Sequence, residues 1–565
     1  MVVCANTEGG LTLDDRSLQP GWAKHLDSPR STLLLGLLGS GLLWAAMPPL
    51  DWSLLAWIAP IPWLWLIRRE RLPGRHPYLA LALAGFCFWM AALHWLRLPH
   101  PATSIGWAAI SLYFSVYLPL FVGLSRVGVH RLRLPLALSA PIVWTGLELA
   151  RAHVFTGLTM GSLGYTQYRW IELIQLSDLA GMYGASFLVM FVAACLASVL
   201  PCERARRSFR PLLPAAAAIA LATLYGHWRI AAARPEPGPT VALIQGSIDI
   251  EMRHDPGMKD RIIREYFDLS RRAVEEHPDA DLLVWPETMF LDPIVTYDDD
   301  VRLPPGAAGT GEEFRGWLAE TAENNALSLR RLAQALDVPL LLGIDCYHFH
   351  GDSQRVTNSA VHVSPEGDIL GRYDKIHLVM FGEYVPFADR FPWLQGLTPL
   401  PISVTPGERP AAFELNGNLI SPNICFETVL PHVIRRQIND LTTEGREPDI
   451  LVNLTNDGWF WGSSELDMHL ICGVFRAVEC RKPLLIAANT GFSAWINADG
   501  RILAMGPRRA EEVILACPKI DRSRASWYLK HGDWFAGACL IVCVIFGISG
   551  TIGRFRGKIA SGRRS

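Results

Sequence analysis

One cysteine in the second half of the chain, Cys425, lies where an apolar run gives way to a segment compatible with a helix. Residues 421–427 read Ser-Pro-Asn-Ile-Cys-Phe-Glu, so we expect the thiol at a corner between a strand and a helix. A helix N-terminus favours the thiolate and lowers a thiol pKa from its usual value of about 8.5. This position therefore predicts a nucleophile with a lowered pKa, and the alternative is a buried structural cysteine.

Two further polar residues end apolar or extended runs in the same half of the chain. Glu287 follows Leu-Val-Trp-Pro at 283–286, and Lys375 follows Gly-Arg-Tyr-Asp at 371–374. A thiol that attacks an acyl carbon needs a base, which a carboxylate supplies when burial raises its pKa. The resulting oxyanion needs a fixed positive charge, which an ammonium group provides. Taken singly, Glu287 could be a helix-terminal acid and Lys375 a solvated turn residue, and their spacing alone does not bring them together.

The region that must position these residues, 238–520, alternates short β-rich apolar runs with amphipathic helical patterns. We predict an α/β domain there, long enough to bury a full core. The predicted strands are 240–245, 281–285, 339–347, 418–425, 449–454 and 483–488, and the clearest helices are 258–276 and 312–336.

Apolar segments of about the length that a bilayer requires recur before this domain and once after it. Residues 31–230 therefore predict an α-helical transmembrane bundle of seven spans, and 534–552 an eighth. The seven are 31–47, 53–67, 78–96, 104–124, 134–151, 174–200 and 211–230. The second is short and contains Pro60 and Pro62, which favour a kinked or re-entrant segment.

The arginines between these segments alternate in number, which predicts the orientation of the bundle. Loops that follow the second, fourth and sixth segments are rich in arginine, and the opposite loops are poor in it. Basic residues remain on the cytoplasmic side. We therefore expect a cytoplasmic tail at 1–30, an extracytoplasmic domain at 238–520 and a basic cytoplasmic tail at 553–565. Trp527, Tyr528 and Trp534 would form an aromatic belt at the outer interface.

Composition excludes several other functions. The chain of 565 residues is 50% hydrophobic and 19% charged, with a net charge of -2, and its polar half has no basic stripe, so nucleic acid is not an expected partner. The 11 cysteines have no short paired spacing, so neither a disulfide framework nor a zinc site is predicted. Cys472, Cys480, His348 and His350 are interpreted as packing and surface residues, and no cofactor or metal is expected.

Four separate motifs resemble one family of membrane enzymes, the apolipoprotein N-acyltransferases, whose catalytic domain belongs to the nitrilase (carbon–nitrogen hydrolase) superfamily. The motifs are Lys-Ile-His-Leu-Val-Met-Phe-Gly-Glu-Tyr-Val-Pro at 375–386, Asn-Leu-Thr-Asn-Asp-Gly-Trp-Phe at 453–460, Arg-Ala-Val-Glu at 476–479 and Ala-Asn-Thr-Gly at 488–491. The resemblance extends over residues 31 to about 552. It implies a nitrilase-like αββα sandwich beside the transmembrane helices.

The same resemblance implies a role for each matching residue. Glu287 would be the general base, Lys375 the oxyanion stabiliser and Cys425 the nucleophile, with Glu383 and Glu427 as supporting acids. Departures from the family pattern lie around this set. Phe426 stands where the family usually has a tyrosine, and Ser247 stands where the family motif Gln-Gly-Asn has its asparagine. A tryptophan that is usual in the family is replaced near His254, and residues 157–160 lack the usual Pro-Trp pair.

The implied reaction is an acyl transfer in two steps through a thioester on Cys425, in the inner membrane of a bacterium with the site on the periplasmic side. The acyl donor would be a phospholipid and the acceptor the N-terminal α-amine of a diacylglyceryl-cysteine apolipoprotein. Residues 380–401, rich in apolar residues and proline, would form a mobile arm over the site. The alternatives are a membrane-tethered nitrilase-type amidase or nitrile hydrolase, for which one span would suffice, and a non-catalytic lipid-binding protein.

Overall fold

The structure is a computed structural model that describes residues 28–201, 208–253, 255–388, 390, 391, 393 and 403–562. Most of the predicted 1–30 tail, His254 and the last three residues of the 553–565 tail lie outside these ranges. The described chain consists of a helical N-terminal part, an α/β part and one closing helix.

The helical part contains a helix within each of the eight predicted apolar segments. Its α-helices are Ser31–Ala45, Ile61–Arg68, Pro77–Ala92, Thr103–Ser115, Tyr117–Arg126, Leu136–His153, Ile171–Ile174, Ser177–Ala180, Met182–Val199 and Leu212–Ala231, and the closing helix is Trp534–Gly562. Within the described residues, three helical stretches are long and apolar enough to cross a membrane: Thr103–Arg131, Met182–Val199 and Trp534–Ile552.

Three other apolar helical stretches, Ser31–Ala45, Ser53–Arg68 and Pro77–Ala92, are shorter than a membrane span of about 20 residues. Ser31–Ala45 has 15 residues and extends about 22 Å, whereas a bilayer core is about 30 Å thick. The second segment is broken into a 3₁₀ turn, Ser53–Trp57, and an α-helix of eight residues, Ile61–Arg68. Pro60 precedes this helix and Pro62 lies in its first turn, where the missing N–H group costs no hydrogen bond. The predicted break in this segment is therefore present.

The α/β part contains two large sheets. Its strands are β1 Glu236–Pro237, β2 Val241–Gln245, β3 Leu282–Val284, β4 Phe290–Tyr297, β5 Leu340–His350, β6 Ser353–Val363, β7 Ile369–Asp374, β8 Phe413–Leu415, β9 Asn418–Ile424, β10 Ile450–Thr455, β11 Leu484–Ala488, β12 Ala494–Ile496, β13 Ile502–Met505, β14 Glu512–Ala516 and β15 Lys519–Ile520. The order is β14-β2-β3-β5-β6-β7 in the larger sheet, where β4 also pairs with β5. It is β13-β12-β11-β10-β9-β8 in the smaller sheet, and β1 pairs with β15. All six predicted strands are present.

Alternation along the strands divides the core into layers. In β2, Ala242 and Ile244 face one core together with Tyr266 of the helix Lys259–Glu276. Val241 and Leu243 face the opposite core, which contains Ile450 of the other sheet. Successive side chains of a strand point to opposite faces, so these contacts place one sheet against the other with helices outside.

Helices also cover the outer face of the smaller sheet. The helix Pro431–Thr443 and the helix Glu465–Cys480 contribute buried residues to a cluster that continues into the membrane-type helices. The helix Gly311–Leu336 covers the larger sheet beside Lys259–Glu276. The α/β part is thus the expected αββα sandwich.

Candidate active site

Cys425 is the first residue after β9 and begins a 3₁₀ turn, Cys425–Val429. Its backbone is left-handed, with φ of 51°. Residues other than glycine rarely adopt this conformation, and those that do are often found at functional sites. Its carbonyl oxygen accepts hydrogen bonds from Asn453 Nδ2 at 3.2 Å and from His469 Nε2 at 3.1 Å. The strained corner is therefore held by two side chains from neighbouring elements.

Lys375 follows β7 directly and is 1% exposed. Its Nζ lies 3.2 Å from Glu287 Oε1 and 2.8 Å from Glu383 Oε1. A single buried ammonium group thus lies between two carboxylates that come from separate segments. The structure therefore brings Glu287, Lys375 and Glu383 into one cluster of charges.

Backbone and amide groups fix the orientation of both carboxylates. Asn358 Nδ2 donates to Glu287 Oε1 at 2.7 Å, and the Asn456 N–H donates to Glu287 Oε2 at 3.0 Å. The Val379 N–H donates to Glu383 Oε2 at 2.8 Å. Sequence reasoning missed Asn358, which lies in β6, a strand it did not predict. Its sequence context, Val-Thr-Asn-Ser-Ala at 356–360, is polar and contains no signal of a site.

The electrostatics of the site differ from the sequence prediction for the thiol. Burial raises the pKa of the Cys425 thiol well above its ordinary value, the Glu287 carboxylate raises it further, and the Lys375 ammonium opposes both. The predicted lowering is therefore wrong, because burial and a facing carboxylate outweigh the effect of a turn that is only one helical turn long. Among the carboxylates that act on this thiol, Glu287 has the largest effect.

The Lys375 ammonium retains its proton. Burial disfavours the charged form, but Glu287 and Glu383 outweigh burial and raise the pKa of Lys375 well above its ordinary value. A group whose pKa is raised stays charged below that pKa, so the positive charge persists through the neutral range. A positive charge that acts on the Cys425 thiol is therefore present at neutral pH.

Glu427 lies behind the reacting groups rather than among them. Its carboxylate accepts from the Tyr373 hydroxyl at 2.8 Å, from the N–H groups of Ile376 and His377 at 2.9 Å, and from the Ile424 N–H at 2.7 Å. These donors flank Lys375 on one side and Cys425 on the other. Glu427 therefore links the segment that carries the lysine to the turn that carries the thiol.

Glu427→Gln is expected to lower the free energy of unfolding by about 2–4 kcal/mol, because an amide cannot accept from all four donors and leaves buried N–H groups without partners. Thermal unfolding of the purified variant in detergent measures this loss. Glu414→Gln, which changes an exposed glutamate on β8, is the matched control and should unfold with the wild type. An unchanged unfolding temperature in Glu427→Gln would contradict the linking role.

Phe426 and Ser247, two of the departures from the family pattern, have definite places. The Phe426 ring stacks on His377 with 6.2 Å between ring centroids. Ser247 is left-handed, with φ of 56°, and its N–H donates to the Asn489 carbonyl. Asparagine adopts this conformation more readily than serine does, which gives a physical reason for the family preference at this position.

The segment proposed as an arm, 380–401, lies partly outside the described residues. In its described part, four aromatic residues are exposed: Phe381, Phe387, Phe391 and Trp393. Its base is tied to the site, because Glu383 binds Lys375 and its carbonyl accepts from the Val404 N–H at 2.8 Å.

The other residues considered for metal binding have different surroundings. Cys472 and Cys480 are buried on the helix Glu465–Cys480, and the nine described cysteines without exception are free thiols. His348 and His350 lie at the exposed end of β5, where His350 contacts Asp298 at 2.8 Å. Asp298, Asp300 and His350 form an exposed group whose composition could hold a metal ion. Asp457, Glu465 and His469 form a buried group of similar composition, but both ring nitrogens of His469 there contact protein acceptors, the Cys425 carbonyl and Asp457 Oδ1, so we do not interpret this group as a metal site.

Comparison with known proteins decides the family. Residues 39–195 match the Apolipoprotein N-acyltransferase N-terminal domain, and residues 240–527 match the Carbon-nitrogen hydrolase family. The Apolipoprotein N-acyltransferase of Geobacter metallireducens is 34% identical over 529 residues, which cover 91% of this chain and 94% of the relative. That of Rhodopirellula baltica is 31% identical over 532 residues, which cover 88% and 93%. The chain belongs to the apolipoprotein N-acyltransferase family.

Two solved structures are similar to about half of this family member. An amidase from Nesterenkonia sp. AN1 is 17% identical, with a TM-score of 0.33, and covers 52% of this chain and 96% of its own. Nit3 of Saccharomyces cerevisiae, a member of the nitrilase superfamily, is 16% identical with a TM-score of 0.33, and covers 53% and 95%.

Proposed function

We propose that this N-acyltransferase family member moves an acyl chain from a phospholipid to the N-terminal α-amine of a diacylglyceryl-cysteine apolipoprotein, with the chain held as a thioester on Cys425. The observation that carries the proposal is the buried Lys375 ammonium between Glu287 and Glu383, beside a thiol in a strained turn. Glu287, Lys375 and Cys425 are proposed as base, oxyanion stabiliser and nucleophile.

In the first step, Glu287 takes the thiol proton as Cys425 Sγ bonds to the ester carbon of the phospholipid. The electron pair of the carbonyl moves to its oxygen, and the Lys375 ammonium stabilises that charge. The ester C–O bond then breaks, Glu287 returns the proton to the departing oxygen, and lysophospholipid leaves. The enzyme retains the chain as a thioester, which divides one difficult transfer into two easier ones.

In the second step, the α-amine of the lipoprotein attacks the thioester carbon. An α-amine has a pKa of about 7.7–8.0, so a useful fraction is neutral near pH 7. Glu287 accepts the proton that the nitrogen loses, the C–S bond breaks, and the thiolate is reprotonated as the amide forms. Water must be kept from the thioester, because hydrolysis would release a fatty acid instead.

We also infer that eight helical segments cross or enter the inner membrane and that the α/β part lies on the periplasmic side. Large apolar side chains are exposed on the helices, including Leu34, Leu79, Ile105, Leu213 and Ile541. Exposed apolar surface on this scale is typical of contact with lipid. The arginine pattern of the loops favours this orientation, and both lipid substrates would reach the site from the outer leaflet.

Incubation of the purified full-length protein in detergent with a phospholipid labelled in its acyl chain tests the proposal. We expect the label on the peptide that contains Cys425, sensitive to neutral hydroxylamine, and lysophospholipid in equal amount. Addition of a synthetic diacylglyceryl-cysteine peptide should then move the label to its amine. The control is the same peptide with its amine acetylated, which should leave the adduct in place.

Two outcomes of this experiment would contradict the transfer. If the folded protein acquires no labelled adduct, the proposed thioester intermediate is ruled out. Label that appears as free fatty acid while the free amine is present would favour the alternative, a hydrolase that uses water as the acceptor. The same preparation can then be assayed against small amides and nitriles.

A further inference from the structure

A buried histidine lies directly behind the proposed nucleophile. His469, on the helix Glu465–Cys480, is 3% exposed. Its Nε2 lies 3.1 Å from the Cys425 carbonyl oxygen, and its Nδ1 lies 3.2 Å from Asp457 Oδ1. The imidazole thus connects the main chain of the nucleophile to a buried carboxylate at the end of β10.

Both ring nitrogens of His469 face hydrogen-bond acceptors. A carbonyl oxygen only accepts, and an ionised carboxylate only accepts, so each nitrogen must carry a proton to make its contact. Asp457 Oδ1 also accepts from the Thr455 hydroxyl at 2.8 Å, which is consistent with an ionised carboxylate. Burial disfavours the imidazolium most strongly, but Asp457, the Cys425 carbonyl and Glu287 together outweigh burial and raise the pKa of His469.

The other titratable groups around this imidazole agree with that protonation state. Glu287, on the segment after β3, also raises the pKa of His469. Glu465, on the helix of His469 itself, has a buried oxygen, Oε2, with no hydrogen-bond partner among the described residues. Burial and the nearby Asp457 and Asp467 raise the pKa of Glu465 well above its ordinary value. The neutral form of Glu465 is thus favoured, which leaves Asp457 and His469 facing each other as a pair of opposite charges.

We propose that His469 is a positioning residue for Cys425: an imidazolium paired with Asp457 that holds the carbonyl of the nucleophile and offsets the negative charge of Asp457 beside the thiol. This deepens the proposed function and rests on Cys425 as its nucleophile. The left-handed turn at Cys425 needs its carbonyl fixed, and His469 and Asn453 are the two side chains that fix it.

The charge of the pair matters as well as its geometry. Asp457 raises the pKa of the Cys425 thiol, in the same direction as Glu287. The positive charge of His469 cancels much of that effect while the pair is intact. Without the imidazolium, the negative charge of Asp457 would no longer be offset. The pKa of the Cys425 thiol would then rise, and the thiolate would form only at higher pH.

The rate at which iodoacetamide alkylates Cys425, followed by mass spectrometry of its peptide from pH 6 to 10, tests the proposal on the full-length protein without lipid. The thiolate displaces iodide and forms a thioether. For His469→Gln we expect the midpoint of the rate to rise by about one pH unit, so that alkylation near pH 7 slows about tenfold. The double variant His469→Gln/Asp457→Asn, which removes both charges, should return the midpoint towards the wild type.

The matched control is His362→Gln, which changes another buried histidine of the same domain that stacks on Phe413 and should leave the midpoint unchanged. A folded His469→Gln with the wild-type midpoint, or with a rate lowered by the same factor at every pH, would overturn the proposal. If His469→Gln does not fold, Asp457→Asn provides the test. This substitution removes the carboxylate and also the partner that keeps His469 protonated, so the alkylation midpoint should stay at or below that of the wild type. A higher midpoint would refute the pairing. Because no lipid is present, failure of the acyl transfer itself would be seen separately in the labelled-phospholipid assay.

Discussion

Cys425→Ser is expected to abolish acyl transfer, with a loss of about 10⁴-fold or more in the rate at which N-acylated peptide forms. A serine hydroxyl is much harder to deprotonate than a thiol, and the base in this site is a carboxylate rather than an imidazole. Since burial and Glu287 already raise the pKa of the thiol, the same surroundings would suppress an alkoxide still more. Initial rates with labelled phospholipid and diacylglyceryl-cysteine peptide measure the loss, and the peptide that contains residue 425 should carry no acyl group.

The control for this variant is Cys517→Ser, which changes an exposed cysteine of the same domain and should retain the wild-type rate. Cys425→Ser should keep its fold, because serine differs from cysteine by one atom and the residue is partly exposed. Thermal unfolding checks this point. A folded Cys425→Ser that retains more than about a hundredth of the rate would assign the nucleophile to another residue.

The reactive residues of this site were predictable because each interrupts a pattern. β7 ends at Asp374 and β9 ends at Ile424, so Lys375 and Cys425 occupy the first position after their strands. β9 is buried over its last five residues, whereas β7 is mostly exposed, so Lys375 was identified mainly from the motif at 375–386 that resembles the family.

The surroundings of the site could not be predicted in the same way. The thiol pKa is raised first by burial and then by Glu287, which follows a strand of the other sheet, and local sequence contains no information about either effect. Asn358 was missed because β6 begins with exposed polar residues and does not look like a strand. His469 and Asp457 are 12 residues apart and meet only because a helix packs against the end of β10.

The membrane helices illustrate a second limit. Apolar runs locate a helix well, but they do not fix where it begins and ends. The second run is divided at Pro60, so that Ile61–Arg68 has eight residues although its apolar run is about twice as long. Hydrophobicity depends on composition, whereas helix length also depends on backbone hydrogen bonds that proline removes.

Lys375→Met is the second change from which we expect a large effect. Methionine fits the length of the buried stem but leaves Glu287 and Glu383 facing each other without the ammonium that both contact. Loss of one member of a buried ion pair costs about 3–5 kcal/mol of stability, and loss of an oxyanion-stabilising group lowers the rate about 10³-fold. Thermal unfolding and the rate of thioester formation from labelled phospholipid measure the two effects separately.

A double variant separates the structural part of this effect from the chemical part. In Lys375→Met/Glu383→Gln one of the two facing charges is also removed, so stability should largely return while the rate of thioester formation stays low. Lys482→Met, which breaks the partly exposed pair of Lys482 with Glu447 in the same domain, is the matched control and should cost no more than about 1 kcal/mol and no activity. A double variant that regained both stability and rate would mean that Lys375 only holds the carboxylates together, because the oxyanion would then be stabilised without any ammonium group.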